Sequence, residues 1–171
     1  MIRRGEYMEL PKRKPNRLPH FDYSTPGAYF VTICTQNRKC LFWDTVGASI
    51  ARPPKPILSG WGVIDDAAIQ NIPVYYPSIT VGHYVVMPNH IHLLLQINTD
   101  SNGRPMVAPT ISTVVQQLKG TISKQIGCSI WQKLFHDHVI RAEQDYQKIW
   151  TYIDTNPVKW KEDCFYEEET K

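Results

Sequence analysis

Two histidines one residue apart, His90 and His92, are the side chains in this sequence best suited to hold a metal ion. They fall in Tyr-Val-Val-Met-Pro-Asn-His-Ile-His-Leu-Leu-Leu-Gln-Ile, residues 84–97. This stretch reads as two β-strands joined at Pro88 and Asn89, with Pro88 presetting the first central turn position and Asn89 tolerating the second. Strand side chains alternate between faces, so both imidazoles point one way while Ile91, Leu93, Leu95 and Ile97 point the other. Such a pair suits a metal, or it is simply the polar face of a solvated sheet. Its place at the head of an otherwise apolar strand favours the metal. A second constellation lies downstream, where Tyr152 and Asn156 are one helical turn apart. Both border an apolar stripe of Ala142, Tyr146, Ile149, Trp150 and Ile153, so a hydroxyl and an amide oxygen can look into a groove beside the packed sheet. Asn156 also suits a plain C-terminal cap, because Pro157 disfavours α geometry at the residue before it.

The elements that must position these groups follow from periodicity. A strand is expected over 28–36, a helix over 61–72 with Ser59 as cap and Pro73 as its stop, and strands over 79–87 and 90–97. Between the first strand and first helix lies a Pro-containing loop with a short strand at 41–43. Ile111, Val114, Val115, Leu118, Ile122 and Ile126 mark one face of a helix capped by Thr110 and closed by Gly127. A last strand is expected over 129–139 and a last helix over 142–156, with Tyr146 in the core. His136 and His138 form a second His-x-His, read as structural or as a substrate edge because Asp137 separates them on a less apolar strand.

Composition bounds the function classes. At 171 residues, 42% hydrophobic and 20% charged, the chain is expected to form one ordinary globular domain. It lacks any run of about 18 apolar residues and begins with charge where a signal peptide would be apolar, so a cytoplasmic protein without a membrane span is expected. Cys34, Cys40, Cys128 and Cys164 lack Cys-x-x-Cys spacing, which argues against a zinc ribbon. The net charge of +3 is concentrated in residues 1–20, where six basic residues face two acidic ones. That arm suits phosphate binding, or is a solubilising tail. Candidate phosphate contacts are Arg13, Lys14 and Arg17 in the arm, and Arg38, Lys119, Lys124 and Arg141 beyond it. The expected division is a basic arm over 1–26, a catalytic domain over 27–157 and a C-terminal tail over 158–171.

The order of Tyr-Phe-Val-Thr-Ile-Cys-Thr, Met-Pro-Asn-His-Ile-His, Phe-His-Asp-His-Val-Ile-Arg and Tyr-Ile-Asp-Thr-Asn-Pro-Val-Lys-Trp resembles the REP-associated tyrosine transposases over about residues 25–160. These belong with the single-tyrosine transposases of the HUH endonuclease superfamily. The resemblance implies an α+β, ferredoxin-like antiparallel sheet with helices packed on one face and the two histidines on a central strand. It implies His90, His92 and Asn156 as ligands of Mg²⁺ or Mn²⁺, and Tyr152 as nucleophile. It further implies single-stranded DNA, in palindromic hairpins, as the partner of a monomer or homodimer. The chemistry agrees: a divalent ion on two imidazoles and an amide keeps open positions for phosphate, and a tyrosine can carry the broken phosphodiester as a 5′-phosphotyrosine. A silent hairpin-binding protein of the same fold is the alternative, which the intact His90, His92 and Tyr152 disfavour. A histidine-triad hydrolase would need a further histidine where Leu94 stands, and there is no Gly-x-x-x-x-Gly-Lys phosphate loop.

Overall fold

The computed structural model describes residues 18, 20–44, 57–100, 102–103 and 109–166. Arg13, Lys14, Arg17 and most of the expected arm lie outside them. Four strands, β1 (Gly27–Cys34), β2 (Ile79–Val86), β3 (His90–Ile97) and β4 (His136–Ile140), form one sheet in the order β2-β3-β1-β4. Every neighbouring pair is antiparallel. Helices α1 (Gly60–Gln70), α2 (Ile72–Tyr75), α3 (Ile111–Ile126) and α4 (Glu143–Thr155) connect or follow the strands. This is the expected ferredoxin-like α+β arrangement, with β3 and β1 at the centre.

Register explains the two faces. Tyr29, Val31 and Ile33 of β1 pair with Leu95, Leu93 and Ile91 of β3, and these side chains form the main core with Ile69 of α1 and Ile111, Val114, Val115, Leu118 and Ile122 of α3. Each such fully buried side chain contributes roughly 1.5–3 kcal/mol. The alternate residues, His90, His92 and Leu94 of β3 with Thr32 and Phe30 of β1, face the other way. The helical layer expected on one face is thus α1 and α3. Helix α4 stands opposite, its Tyr152 ring 5.2 Å from that of His92 and 6.1 Å from that of Phe30.

Local sequence accounts for most boundaries. Ser59 Oγ accepts from Gly62 N at the start of α1, and Thr110 Oγ1 accepts from Thr113 N at the start of α3. Gly127 ends α3 in the left-handed conformation, φ 86°, that glycine adopts without strain. Pro73 does not stop the chain as expected: it sits in the first turn of α2, where its missing N–H matters least. The last strand is shorter than the expected 129–139. Trp131 forms an isolated bridge to Thr35 and is buried against Phe42, so its apolar character belongs to the core and not to a continuous strand. The short strand expected at 41–43 is reduced to a bridge between Trp43 and Leu58. Among the described residues, no helix is long and apolar enough to cross a membrane.

Candidate active site

The turn between β2 and β3 sets His90 and His92 at the head of the central strand, and both are fully buried, with 0% and 1% exposure. The solvated-face alternative is thereby removed. Their Nε2 atoms are 3.0 Å apart. The outward nitrogens are also occupied: His90 Nδ1 is 2.8 Å from Asn89 Oδ1, and His92 Nδ1 is 2.8 Å from Thr32 Oγ1 on the neighbouring strand. Burial pushes the His90 pKa down to about 3 and that of His92 well below the ordinary histidine value. Both rings are therefore neutral, the form that binds metal.

Helix α4 brings Tyr152 to this pair. The Tyr152 hydroxyl is 3.2 Å from His92 Nε2 and donates to Asp163 Oδ2 at 3.1 Å. One turn later, buried Asn156 donates from Nδ2 to the same Asp163 oxygen at 2.7 Å. The spacing of Tyr152 and Asn156 thus places both beside the histidines. Desolvation, then the negative charge of Asp163, raises the phenol pKa above its ordinary value. The resting hydroxyl is protonated, and something must take its proton before it can attack.

Asp163 is the functional candidate that sequence reasoning missed. Residues 158–166, grouped in the sequence with a tail, return across the site through a 3-10 turn at Trp160–Glu162. His90, His92 and Asp163 each offer one atom within 4.8 Å of the others. The Phe165 and Trp160 rings lie 4.6 and 5.9 Å from that of His90 and close the cluster over. No periodicity announces a segment of this kind. Its acidic residues, Glu162 and Asp163 shortly after a predicted helix end, do not by themselves single out Asp163.

The donor set fits a divalent ion. Two neutral imidazoles converge, a carboxylate is adjacent, and Asn156 Oδ1 is buried with no hydrogen-bond partner among the described residues. Asn156, expected as the third ligand, lies beside the histidines, and Asp163 is a further oxygen donor that was not among the expected residues.

The candidate phosphate contacts differ in surroundings. Lys124 and Arg141 are exposed. Arg38 is half-buried beside the site, donating from Nη1 to the Cys164 carbonyl at 3.3 Å with its guanidinium 5.2 Å from the Phe165 ring centre. Lys119, expected on a wet helix face, directs its ammonium to the carbonyls of Gln132, Leu134 and Lys133 at 2.9, 3.3 and 3.5 Å. It holds the loop before β4. His136 and His138 lie on the same sheet face as Thr32 and Phe30, and His138 Nε2 is 2.7 Å from Asp145 Oδ2, tying β4 to the start of α4.

No protein-family model matches the chain. It is 28% identical over 173 aligned residues to an uncharacterised protein of Haemophilus influenzae, covering 90% of this chain and 93% of that one. It is 29% identical to a second Haemophilus influenzae protein, provisionally named a REP-associated tyrosine transposase, covering 81% of this chain and 74% of that one. Its fold is similar to that of a REP-associated tyrosine transposase solved bound to a REP hairpin, with a TM-score of 0.61, 22% identity and coverage of 86% and 74% of the two chains. In sequence the chain is thus similar to a protein provisionally named a REP-associated tyrosine transposase, and in fold it is similar to a solved one.

Proposed function

We propose that the protein is a divalent-metal-dependent single-stranded DNA endonuclease and strand transferase that acts on DNA hairpins through a 5′-phosphotyrosine at Tyr152. The observation that carries this reading is the Tyr152 hydroxyl, 3.2 Å from His92 Nε2 and beside the His90–His92–Asp163 cluster. The solved relative bound to a REP hairpin supports the substrate class.

His90 and His92 would offer two nitrogen donors to Mg²⁺ or Mn²⁺, and Asp163 and Asn156 oxygen donors. Such an ion would supply Lewis-acid chemistry at the scissile phosphate and make deprotonation of the phenol easier. Asp163 Oδ2, already hydrogen-bonded to the Tyr152 hydroxyl, is the base positioned to accept its proton. The phenolate oxygen attacks phosphorus, the bond from phosphorus to the 3′ oxygen breaks, and that oxygen leaves as a 3′-OH after taking a proton. Attack of a 3′-OH on the phosphotyrosine reverses the step, rejoins a strand and regenerates the phenol without a nucleotide cofactor. Exposed Lys124 and Arg141, with Arg38 at the rim, are the proposed phosphate contacts of the folded part, and Arg13, Lys14 and Arg17 those of the arm.

The test is cleavage of an end-labelled DNA hairpin with single-stranded flanks in Mg²⁺ or Mn²⁺. Cleavage is expected to disappear in chelator and in His90→Ala and His92→Ala. Full cleavage in chelator would overturn the metal assignment.

A further inference from the structure

We infer that Asn89 is a positioning residue: it fixes the protonation geometry of His90 so that the metal-facing nitrogen carries a lone pair, and it ties that histidine to both segments framing the site. The inference rests on the reading of His90 as a metal ligand. A turn asparagine is ordinarily exposed, yet Asn89 is fully buried. Its Nδ2 donates to the Phe165 carbonyl at 2.8 Å and to the Arg38 carbonyl at 3.1 Å. Carbonyls only accept, so the nitrogen end of the amide must face them and the oxygen end must face His90. An amide oxygen also only accepts, so the proton of the neutral His90 ring sits on Nδ1, 2.8 Å away. Nε2 is left bare, aimed at His92.

His92 is held differently. Its Nδ1 meets Thr32 Oγ1, a hydroxyl that can donate or accept. Without metal, His92 can carry its proton on Nε2 and donate it to His90 across 3.0 Å. With metal, the proton moves to Nδ1 and the Thr32 hydroxyl turns to accept it. One ligand is therefore preset and the other adjusts. The backbone of Asn89 is held as well, its main-chain carbonyl accepting from Thr35 N at 2.9 Å and from Thr35 Oγ1 at 3.0 Å. On the far side, Asn37 and Arg38 take consecutive left-handed conformations, φ 55° and 50°, in the turn that presents the Arg38 carbonyl to the amide.

Nitrogen-15 spectra of histidine-labelled, metal-free protein read the tautomer directly, while calorimetry with Mn²⁺ reads affinity. Wild-type His90 is expected to be protonated at Nδ1. Asn89→Ala should let the proton move to Nε2 and weaken Mn²⁺ binding by about 10–100-fold. Asn89→Asp keeps an acceptor for Nδ1–H and removes both donors. It should preserve the tautomer and Mn²⁺ affinity while speeding amide exchange over residues 163–166. A wild-type His90 protonated at Nε2, or an Asn89→Ala protein with unchanged His90 shifts and Mn²⁺ affinity, would overturn the inference. The wild-type spectrum decides even if Asn89→Ala fails to fold. Because it needs neither metal nor DNA, its failure is distinguishable from a failure to cleave.

Discussion

Burial of ionisable side chains gives this protein two opposed responses to pH. In the unfolded chain His90 takes up a proton near its ordinary value of 6.5, whereas in the fold it does so only near 3. Between these values the unfolded state binds more protons, so stability is full above about 6.5 and falls as pH drops, by up to about 1.4 kcal/mol per unit. Asp65 on α1 acts in the reverse sense. It is fully buried, neither carboxylate oxygen has a partner among the described residues, and desolvation lifts its pKa from 3.8 to about 8. The fold then holds the extra proton, and stability is lost as pH rises from about 4 towards 8. Asp65→Asn is expected to raise stability at alkaline pH by about 1–3 kcal/mol and to change it little in acid, as measured by urea unfolding at several pH values. An equal effect at all pH values would show that the carboxyl is ionised in the fold. The residues of the candidate site were unequally legible in the sequence. Alternation exposed His90 and His92, and the i, i+4 spacing exposed Tyr152 with Asn156. Thr32, Asn89 and Asp163 reach the same point from another strand, a turn and a post-helical segment, and only the tertiary fold brings them together.

Helix α4 is positioned by a contact that its own apolar stripe does not reveal. Tyr146, expected in the core, is only half-buried, and on α4 only Ile153 is fully buried. The β2–β3 register shifts between Val81 and His83, and at the intervening Gly82 an added Cβ would lie 3.2 Å from the Tyr146 hydroxyl and 3.4 Å from the Leu94 carbonyl oxygen. The glycine lets the helix lie close to the sheet. Gly82→Ala should therefore displace α4 and lower the cleavage rate, by up to about 100-fold if Tyr152 moves by about 1 Å. Tyr146→Phe removes the obstructing oxygen, costs at most about 0.5–1.5 kcal/mol, retains cleavage, and should partly rescue Gly82→Ala. Additive rates in the double variant would place the effect elsewhere. The long, regularly patterned α3 was legible to the residue, with its cap and closing glycine, because one stripe faces one core. The region before β4 was not, since Trp131 is buried from an irregular segment that alternation alone reads as strand.

At the scale of the whole molecule, charge and chemistry are separately placed. The site is built from buried neutral histidines with Arg38 beside it, whereas Lys124 lies on α3, which packs against the opposite face of the sheet. Deleting residues 1–20 should weaken hairpin binding and flatten the dependence of log Kd on log salt by roughly 0.7–0.9 for each phosphate that the arm no longer neutralises. An unchanged slope would make the arm a solubilising tail. Lys119→Ala should instead destabilise the loop at 132–134, with little change in that slope, since its ammonium already serves three carbonyls.

In the proposed reaction the phenol beside the paired histidines becomes covalently joined to DNA. Its most direct test is a denaturing gel of the protein incubated with Mn²⁺ and a hairpin labelled on the 3′ side of the scissile bond, comparing wild type, Tyr152→Phe and Tyr146→Phe. A labelled protein–DNA adduct is expected for wild type and Tyr146→Phe and absent for Tyr152→Phe, which should still fold and bind the hairpin. An adduct that survives Tyr152→Phe and disappears with Tyr146→Phe would contradict this assignment, placing the nucleophile on the apolar stripe of α4, beside Gly82 and not beside the histidines.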